Sequence, residues 1–538
     1  VLVKADPSAI ETIDGRILEL ARKDAIWHQV KHLLSFDVQV HAVNLVEFVA
    51  MDATQLREKV DRLVAELRAS VGQPASPVGI VVTETDSDAA ALWELRKKGV
   101  GLLGALKGER RPIPFVEDTA VPPAKLSAYV REFRHILDEA GLIYGMFGHV
   151  DVGCLHVRPA LNLRDPEDEV RLRSISDQVM ALVKRYGGVF WGEHGKGFRS
   201  EYVPEFFGPA LYQALCEVKT AFDPRGQLNP GKLALSRNAR HSLVSVDGPK
   251  RGAQDRQIAP VSQRQFDVAI HCNGNAQCFT TDPDTVMCPS SKQRRDRVHS
   301  PKGRAALLRE WLKQLSTNGF DAGAELQRSA KSNRHEWLDT LGARRRGPDY
   351  DFSHEVYDGL DGCLSCKACA TQCPIQVDIP RMKAGFLSLY HQRYARPLRD
   401  YFVAALEHML TVLALLPQFF NWWMRRAWVR YLMQHWVGIV DIPPVATLNL
   451  KQELRRRDAI LLTDVVEQQI RRQPSDERRQ FVILLQDAFT TFYEPEVLLS
   501  TYDLMSKMGL KPLLVPYFPN GKALVIKGFL GAFRTLAR

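Results

Sequence analysis

Much of what this chain lacks is informative. It has no apolar run that reads as a membrane-spanning helix: the uncharged stretch 408–424 is short for that purpose and contains Pro417. It begins at Val1, with no initiator Met, charged n-region, apolar h-region or cleavage site, and is therefore expected to be an interior piece of a longer polypeptide. Nucleic-acid motifs are missing too. Lys+Arg 72 against Asp+Glu 62 leaves a net charge of +10, which reads as solvated surface. That balance also suits a small anionic substrate or an acidic partner, and no nucleic-acid partner is expected. Cysteine is sparse outside one region. Cys154 and Cys216 stand apart, while the other seven of nine fall between Cys272 and Cys373. Such clustering argues against a chain-wide disulfide scaffold and for metal or cluster ligation. What remains is ordinary globular composition, 45% hydrophobic and 25% charged, with room for roughly three or four domains.

Residues 1–235 alternate between strand and helix patterns. The β-branched runs 45–50 and 78–83 predict strands. Between them, Asp52 followed by Gln55 starts a helix whose inward face is Leu56, Val60, Leu63, Val64 and Leu67. A second helix follows Pro122-Pro123, turns Leu126, Val130, Phe133 and Leu137 inward, and stops at Gly141. The fold class expected is α+β, an antiparallel sheet with helices. Residues 236–265 turn polar and predict a linker. Residues 266–390 carry the cysteines, and 391–475 form an apolar helical extension. Within that extension 408–424 reads as a buried helix pair in preference to an interfacial membrane patch. Residues 476–538 give a strand at 481–485, a helix at 495–508 and a strand at 513–516. Two strands rarely stand alone, so this is read as a truncated α/β unit.

Cys363, Cys366, Cys369 and Cys373, followed by Pro374, are spaced C-x2-C-x2-C-x3-C-P, the bacterial ferredoxin run. Zinc would more naturally use two separated C-x2-C pairs. A degenerate second half lies upstream: Cys272, Cys278, and Cys288 before Pro289. In a two-cluster arrangement the cysteine before each proline serves the other cluster. Cys363, Cys366, Cys369 and Cys288 then hold one [4Fe–4S] cluster. Cys272, Cys278 and Cys373 remain for a second, one ligand short, with Asn275 where a cysteine would stand. That second site is open between a three-iron cluster, a non-cysteine ligand and no cluster.

The other concentration of chemistry is Gly148-His-Val-Asp-Val-Gly-Cys-Leu-His156 with Gly192-Glu-His-Gly195. His149, His156 and Glu193 make a two-His, one-carboxylate set of the kind that binds a divalent metal and leaves positions open. His194 is then free to act as a base. The first segment resembles the G-H-x-G-D-G-N-x-H motif of the FAD-linked 2-hydroxyacid dehydrogenases. These are flavoproteins of the vanillyl-alcohol-oxidase type, with glycolate, D-lactate and D-2-hydroxyglutarate members. Gly192–Gly195 and Asn229-Pro-Gly-Lys232 are similar to two further landmarks of that family. Arg295-Asp-Arg-Val-His-Ser-Pro-Lys-Gly-Arg-Ala305 and the cysteine motifs resemble its long members, which carry a fused iron–sulfur module.

The resemblance implies that residues 1–235 are the family's C-terminal substrate domain, followed by an α-helical ferredoxin-like iron–sulfur domain. It assigns His149, His156 and Glu193 to zinc or manganese, His194 to the general base, and Arg96 to a substrate carboxylate. Asn229 and Lys232 fall near the flavin. Cys154 departs from the motif's asparagine and Val152 from its acidic residue. A lysine expected near residues 115–117 is missing, with Arg110 or Arg111 as substitutes. The reaction implied is oxidation of a D-2-hydroxy acid, D-2-hydroxyglutarate foremost, to the 2-keto acid. Hydride passes to FAD and electrons go on through [4Fe–4S] to a quinone or an electron-transfer protein. No glycine-rich dinucleotide loop, neither G-x-G-x-x-G nor a similar phosphate cradle, is read in the chain, so FAD is expected to be held largely by another domain, in cis or in trans. This stretch alone is expected to be inactive. A homo-oligomer is an option, and the location expected is cytoplasmic or peripheral to the inner membrane. The competing readings are a D-lactate or glycolate dehydrogenase and a non-catalytic iron–sulfur scaffold.

Overall fold

Strand β1 (Ala9–Asp14) buries both faces, placing Ile10 and Ile13 in the core beside two buried acids, Glu11 and Asp14. Asp14 ends the strand and caps the next helix, accepting from Ile17 N at 3.0 Å. It also accepts from Met146 N at 2.8 Å, which fastens β1 to the strand beside it. The computed structural model describes residues 1–35, 40–73, 76–104, 106, 108–195, 197–331, 346–347 and 350–538. It divides into one unit of residues 1–257 with 374–376, and a second of 258–373 with 377–538.

In the first unit the strands are β1, β2 (Ala42–Glu47), β3 (Arg111–Pro112), β4 (Thr119–Ala120), β5 (Tyr144–His149) and β6 (Cys154–Leu161). They run in the order β2-β1-β5-β6-β3, with β4 also on β6, and every pairing is antiparallel. One helical layer is α1 (Gly15–Ala21), α2 (Trp27–Leu34) and α4 (Asp86–Gly104). Ile17, Leu33, Leu95 and Leu103 from these helices pack with Phe147. The other layer is α5 (Leu126–Glu139) and α6 (Pro166–Arg185), with Phe133, Leu137, Leu172 and Val179 against Met146, Leu155 and Val157. This is the mixed α+β architecture expected.

Several local expectations are corrected. The strand predicted at 45–50 lies upstream, as β2. The run 78–83 is not a strand, because no neighbour offers it a ladder and Val81 and Val82 are exposed. Helix α3 (Ala53–Ala69) is capped by Asp52, which accepts from Thr54 N and Gln55 N, but of its apolar stripe only Leu63 is buried. The helix over 126–139 and its end at Gly141, at φ +64°, match the prediction. The spacing G-x-G-x-x-G does occur once, Gly99 to Gly104, contrary to the sequence reading. It lies in the last turns of α4 and not at a strand-to-helix turn, so it forms no phosphate cradle. Of the expected linker, 236–257 packs with the first unit: Val246 is in its core and Glu201 accepts from Val246 N at 2.7 Å.

The second unit is mainly helical. Helices Pro301–Thr317 and Ile379–Tyr390 meet through Trp311 and Phe386, and every residue of the latter helix except Arg381 is buried. Near the C-terminal end a parallel sheet runs β7 (Ile460–Leu461), β9 (Lys511–Leu514), β8 (Phe481–Leu484). Its third strand comes from the segment read as helical, and two residues are too few to show a period. Helices Leu398–Leu413, Pro417–Met424 and Ala427–Leu432 occupy the apolar stretch. The buried helix pair expected there is overturned: helix Pro417–Met424 buries no residue and Ala427–Leu432 buries only Val429. Among the described residues no helix is long and apolar enough to cross a membrane.

Candidate active site and cysteine cavity

Sheet register assembles the first site. Glu11 on β1 sits opposite His149 on β5, which sits opposite Cys154 on β6; Phe147 sits opposite His156. Partners in register share a face and side chains alternate, so these five residues point the same way. The β5–β6 hairpin needs glycine twice. Gly153 is at φ +73°, and a Cβ there would strike the Val121 carbonyl oxygen; one on Gly148 would strike that of Cys154.

The segment Gly192–Gly195 brings the remaining donors. Glu193 Oε1 lies 2.8 Å from His156 Nε2, 3.5 Å from His149 Nε2 and 3.6 Å from His194 Nε2. Three imidazoles therefore converge on one carboxylate oxygen. His156 is buried while Glu193 and His194 are open to solvent, an arrangement with one protected wall and one accessible side. Burial, followed by the charges of His194 and His149, pushes the His156 imidazole down to about 3, so it stays neutral and able to ligate. His149 Nδ1 meets Glu11 Oε1 at 2.5 Å, and Glu11 Oε2 accepts from Arg96 Nε at 2.7 Å. Arg96 also lies over the Phe147 ring, its Cζ 4.7 Å from the centroid. The residues His149, His156, Glu193, His194 and Arg96 are thus neighbours in space.

Sequence reasoning missed Glu11, Glu117 and Asp118. Asp118 is fully buried, and its carboxylate accepts from Glu193 N at 2.9 Å and His194 N at 2.8 Å. Ligand atoms of Asp118, His156, Glu193 and His194 all lie within 4.8 Å of one another, a second donor set alongside the predicted one. Glu117 Oε1 faces His156 Nδ1 at 3.7 Å and His194 Nδ1 at 3.6 Å, and the carboxylate is paired with Arg158. The donor chemistry, neutral imidazoles with carboxylates, fits a divalent cation. Cys154 does not join it as a thiolate, because burial and then the Asp118 charge push its thiol up to about 12. The signal that could have exposed Asp118 was the acidic pair Glu117-Asp118 inside a short apolar, β-prone run.

Arg110 is elsewhere: it grips the buried Asp168 with Nε and Nη2, both at 3.0 Å, and is structural. Asn229, at φ +45°, and Lys232 lie in a largely exposed turn. Leu233 N donates to Ser200 Oγ at 3.1 Å, which fastens that turn to the segment following Gly192–Gly195. The turn supplies no phosphate cradle.

In the second unit, Cys288, Cys363, Cys366 and Cys369 line one small open pocket, together with Arg304 and Lys367. Burial pushes the Cys369 thiol up to about 12, and the neighbouring Cys363 and Cys288 add to the shift. Cys278 is raised by burial too, with Cys272 and Cys373 contributing. Cys288 also packs in one cluster with Cys278 and Cys373, so it lies beside both predicted sets, and none of the seven forms a disulfide. Arg304, buried, donates from Nη1 to Cys288 Sγ at 3.6 Å, and Lys383 Nζ donates to the Cys363 carbonyl at 2.8 Å. Backbone strain gathers here: among the described residues, Ala276, Cys288, Arg295, Ser365 and Lys367 are five of the eleven non-glycine positions at positive φ. Four cysteines lining one pocket, with the buried cations Arg304 and Lys383 beside them, have the donor chemistry of an anionic iron–sulfur cubane.

Residues 2–233 match the protein family described as FAD linked oxidases, C-terminal domain. Over 550 residues the chain is 43% identical to a D-2-hydroxyglutarate dehydrogenase of Pantoea ananatis, and 42% identical to one of Escherichia coli. Each alignment covers 100% of this chain and 53% of the relative. A D-lactate dehydrogenase of Archaeoglobus fulgidus is 29% identical over 228 residues, 42% of this chain and 45% of that protein. The chain spans about half the length of the curated relatives it matches.

Proposed function

We propose that this chain, whose residues 2–233 match the C-terminal domain of the FAD linked oxidases, carries the substrate site and electron relay of an FAD-dependent D-2-hydroxyacid dehydrogenase. D-2-hydroxyglutarate is the substrate favoured. The observation that carries this reading is the convergence of His149, His156 and His194 on Glu193 Oε1, one residue layer from Arg96.

When bound, a divalent metal lowers the pKa of a ligated hydroxyl, FAD accepts an electron pair, and an iron–sulfur cluster accepts single electrons. The chain's own residues do the rest. His149, His156 and Glu193 would hold the metal, zinc or manganese, and Glu11 fixes which nitrogen His149 presents. Arg96 is oriented by Glu11 through Nε and offers the rest of its guanidinium to a carboxylate. His194, open to solvent and held through its backbone by Asp118, takes the hydroxyl proton at Nε2. Cys288, Cys363, Cys366 and Cys369 would hold a [4Fe–4S] cluster, and Cys272, Cys278 and Cys373 a second group. Asn229 and Lys232 would touch the flavin. The electron acceptor is a quinone or an electron-transfer protein.

The test is a panel of D-2-hydroxyglutarate, D-lactate and glycolate, assayed in the full-length polypeptide with an artificial acceptor and with metal analysis. Preference for the five-carbon dicarboxylate is expected. His194→Ala should abolish turnover with the metal retained, and His149→Ala should lose both. Comparable rates with D-lactate would reassign the substrate, and no turnover with any of the three would defeat the proposal.

A further inference from the structure

The stretch that sequence patterning placed in the core is on the surface. Between Glu407 and Asp441 the chain has no acidic residue, while it has Arg425, Arg426 and Arg430 and four of the nine tryptophans. Two helices, Pro417–Met424 and Ala427–Leu432, carry most of it. Their inward sides are fixed. Phe420 packs against the cluster of Leu410, Val445 and Ala488. Asn421 donates from Nδ2 to the Val445 carbonyl at 2.7 Å and accepts from Val445 N at 2.9 Å. Val429 is buried at 3% exposure. With those positions held inward, Leu415, Phe419, Trp422, Trp423, Trp428 and Trp436 are left exposed, Leu415 at 75% and Trp436 at 73%.

The aromatic side chains between 419 and 428 touch in pairs. Phe419 stacks on Trp422 with centroids 6.1 Å apart, Trp423 meets Trp428 edge-on at 6.2 Å, and Arg426 Cζ lies 4.0 Å from the Trp422 centroid. A soluble monomer seldom exposes so much aromatic and aliphatic surface without a partner. Protein interfaces share the taste for Trp and Arg, but they commonly set both signs of charge around the rim. Here the segment's own charges, Arg425, Arg426 and Arg430, are cationic only. Tryptophan at the level of lipid head groups and arginine reaching phosphate is the chemistry of a bilayer interface. The helices are too short to cross it.

We propose that residues 415–436 form a monotopic membrane-docking tip that inserts its tryptophans among anionic phospholipid head groups. The proposal stands apart from the histidine site and does not depend on it. The test is co-sedimentation of the full chain with vesicles of phosphatidylcholine containing phosphatidylglycerol, and with phosphatidylcholine alone, while tryptophan emission is recorded. Binding to the anionic vesicles with a blue shift, weakened by salt, is expected. Reversing all three arginines, R425E/R426E/R430E, should weaken partitioning by more than about 100-fold. Trp422→Ser/Trp428→Ser should lose the blue shift, and all these exposed changes should leave thermal unfolding unaltered. Failure to bind phosphatidylglycerol vesicles overturns the proposal. So does binding that the arginine reversal leaves unchanged. A concentration-dependent dimer in sedimentation velocity that the tryptophan double variant abolishes would assign the patch to a second copy instead, and would likewise overturn it.

Discussion

Replacing Asp118 tests whether the Gly192–Gly195 segment is held in place for chemistry. The side chain is fully buried and accepts from two successive backbone amides, Glu193 N at 2.9 Å and His194 N at 2.8 Å. Hydrogen bonds to a charged acceptor contribute about 1.5–3 kcal/mol each. Glu193 and His194 are half exposed, and water can replace part of the loss, so the low end applies. Two bonds then hold the segment by about 3 kcal/mol, or about 100-fold in its population. The loss stays local, because Phe190 and Trp191 before the segment remain in the core and Arg199 after it still donates to the Phe190 carbonyl. Asp118→Ala should therefore lower metal affinity, read by calorimetric titration with zinc or manganese, and kcat/KM in the full-length enzyme, each by about 100-fold. Thermal unfolding should move little. Asp118→Asn keeps one acceptor and turns an amide against the other N–H, so it should fall between wild type and Ala. If Asp118 is instead a direct ligand, Asn and Ala will be equally impaired. Wild-type affinity and rate in Asp118→Ala would refute the reasoning.

Four further outcomes are expected. Glu11→Ala removes the partner of both His149 Nδ1 and Arg96 Nε and should weaken metal binding by about 10–100-fold, measured by competition with a chromogenic chelator. Gly153→Ala forces a Cβ onto the Val121 carbonyl at positive φ and should cost more than ~3 kcal/mol in urea unfolding of the first unit. Cys288→Ser should remove the same electron paramagnetic resonance signal as Cys366→Ser, with Cys278→Ser leaving that signal in place; shared loss across all three would break the grouping. Burial, then the Arg396 charge, pushes the His391 imidazole down from 6.5 to about 4. Between those values the unfolded chain binds a proton that the folded chain refuses, so stability is full above pH ~6.5 and is lost on acidification towards pH ~4, by about 3 kcal/mol. Calorimetry across that window should show the slope, and His391→Gln should flatten it.

The parts of this protein that sequence revealed are those where local pattern and chemistry coincide. The glycines at 148 and 153 mark a hairpin that only glycine can close, and the histidines beside them inherit positions from strand alternation. The cysteine spacing is itself a geometric statement, since two-residue gaps place Cys363, Cys366 and Cys369 on the lining of one pocket. What escaped was set by non-local contact. Glu11 meets His149 across a register joining residues 138 apart in sequence, and nothing near Glu11 announces it. The same limit explains the opposite error at 408–424. Hydrophobicity gives the free energy of leaving water but not the destination, and a run of tryptophans is equally satisfied by a core or by a bilayer. The two differ in what sits between the aromatics. A core cannot take unpaired arginines, because desolvating each guanidinium costs several kcal/mol, whereas head-group phosphate welcomes them. Arg425, Arg426 and Arg430 immediately follow or interrupt the aromatic run. Their placement was the legible sign that this surface faces outward, and it weighs more than the mean hydropathy of the stretch around them.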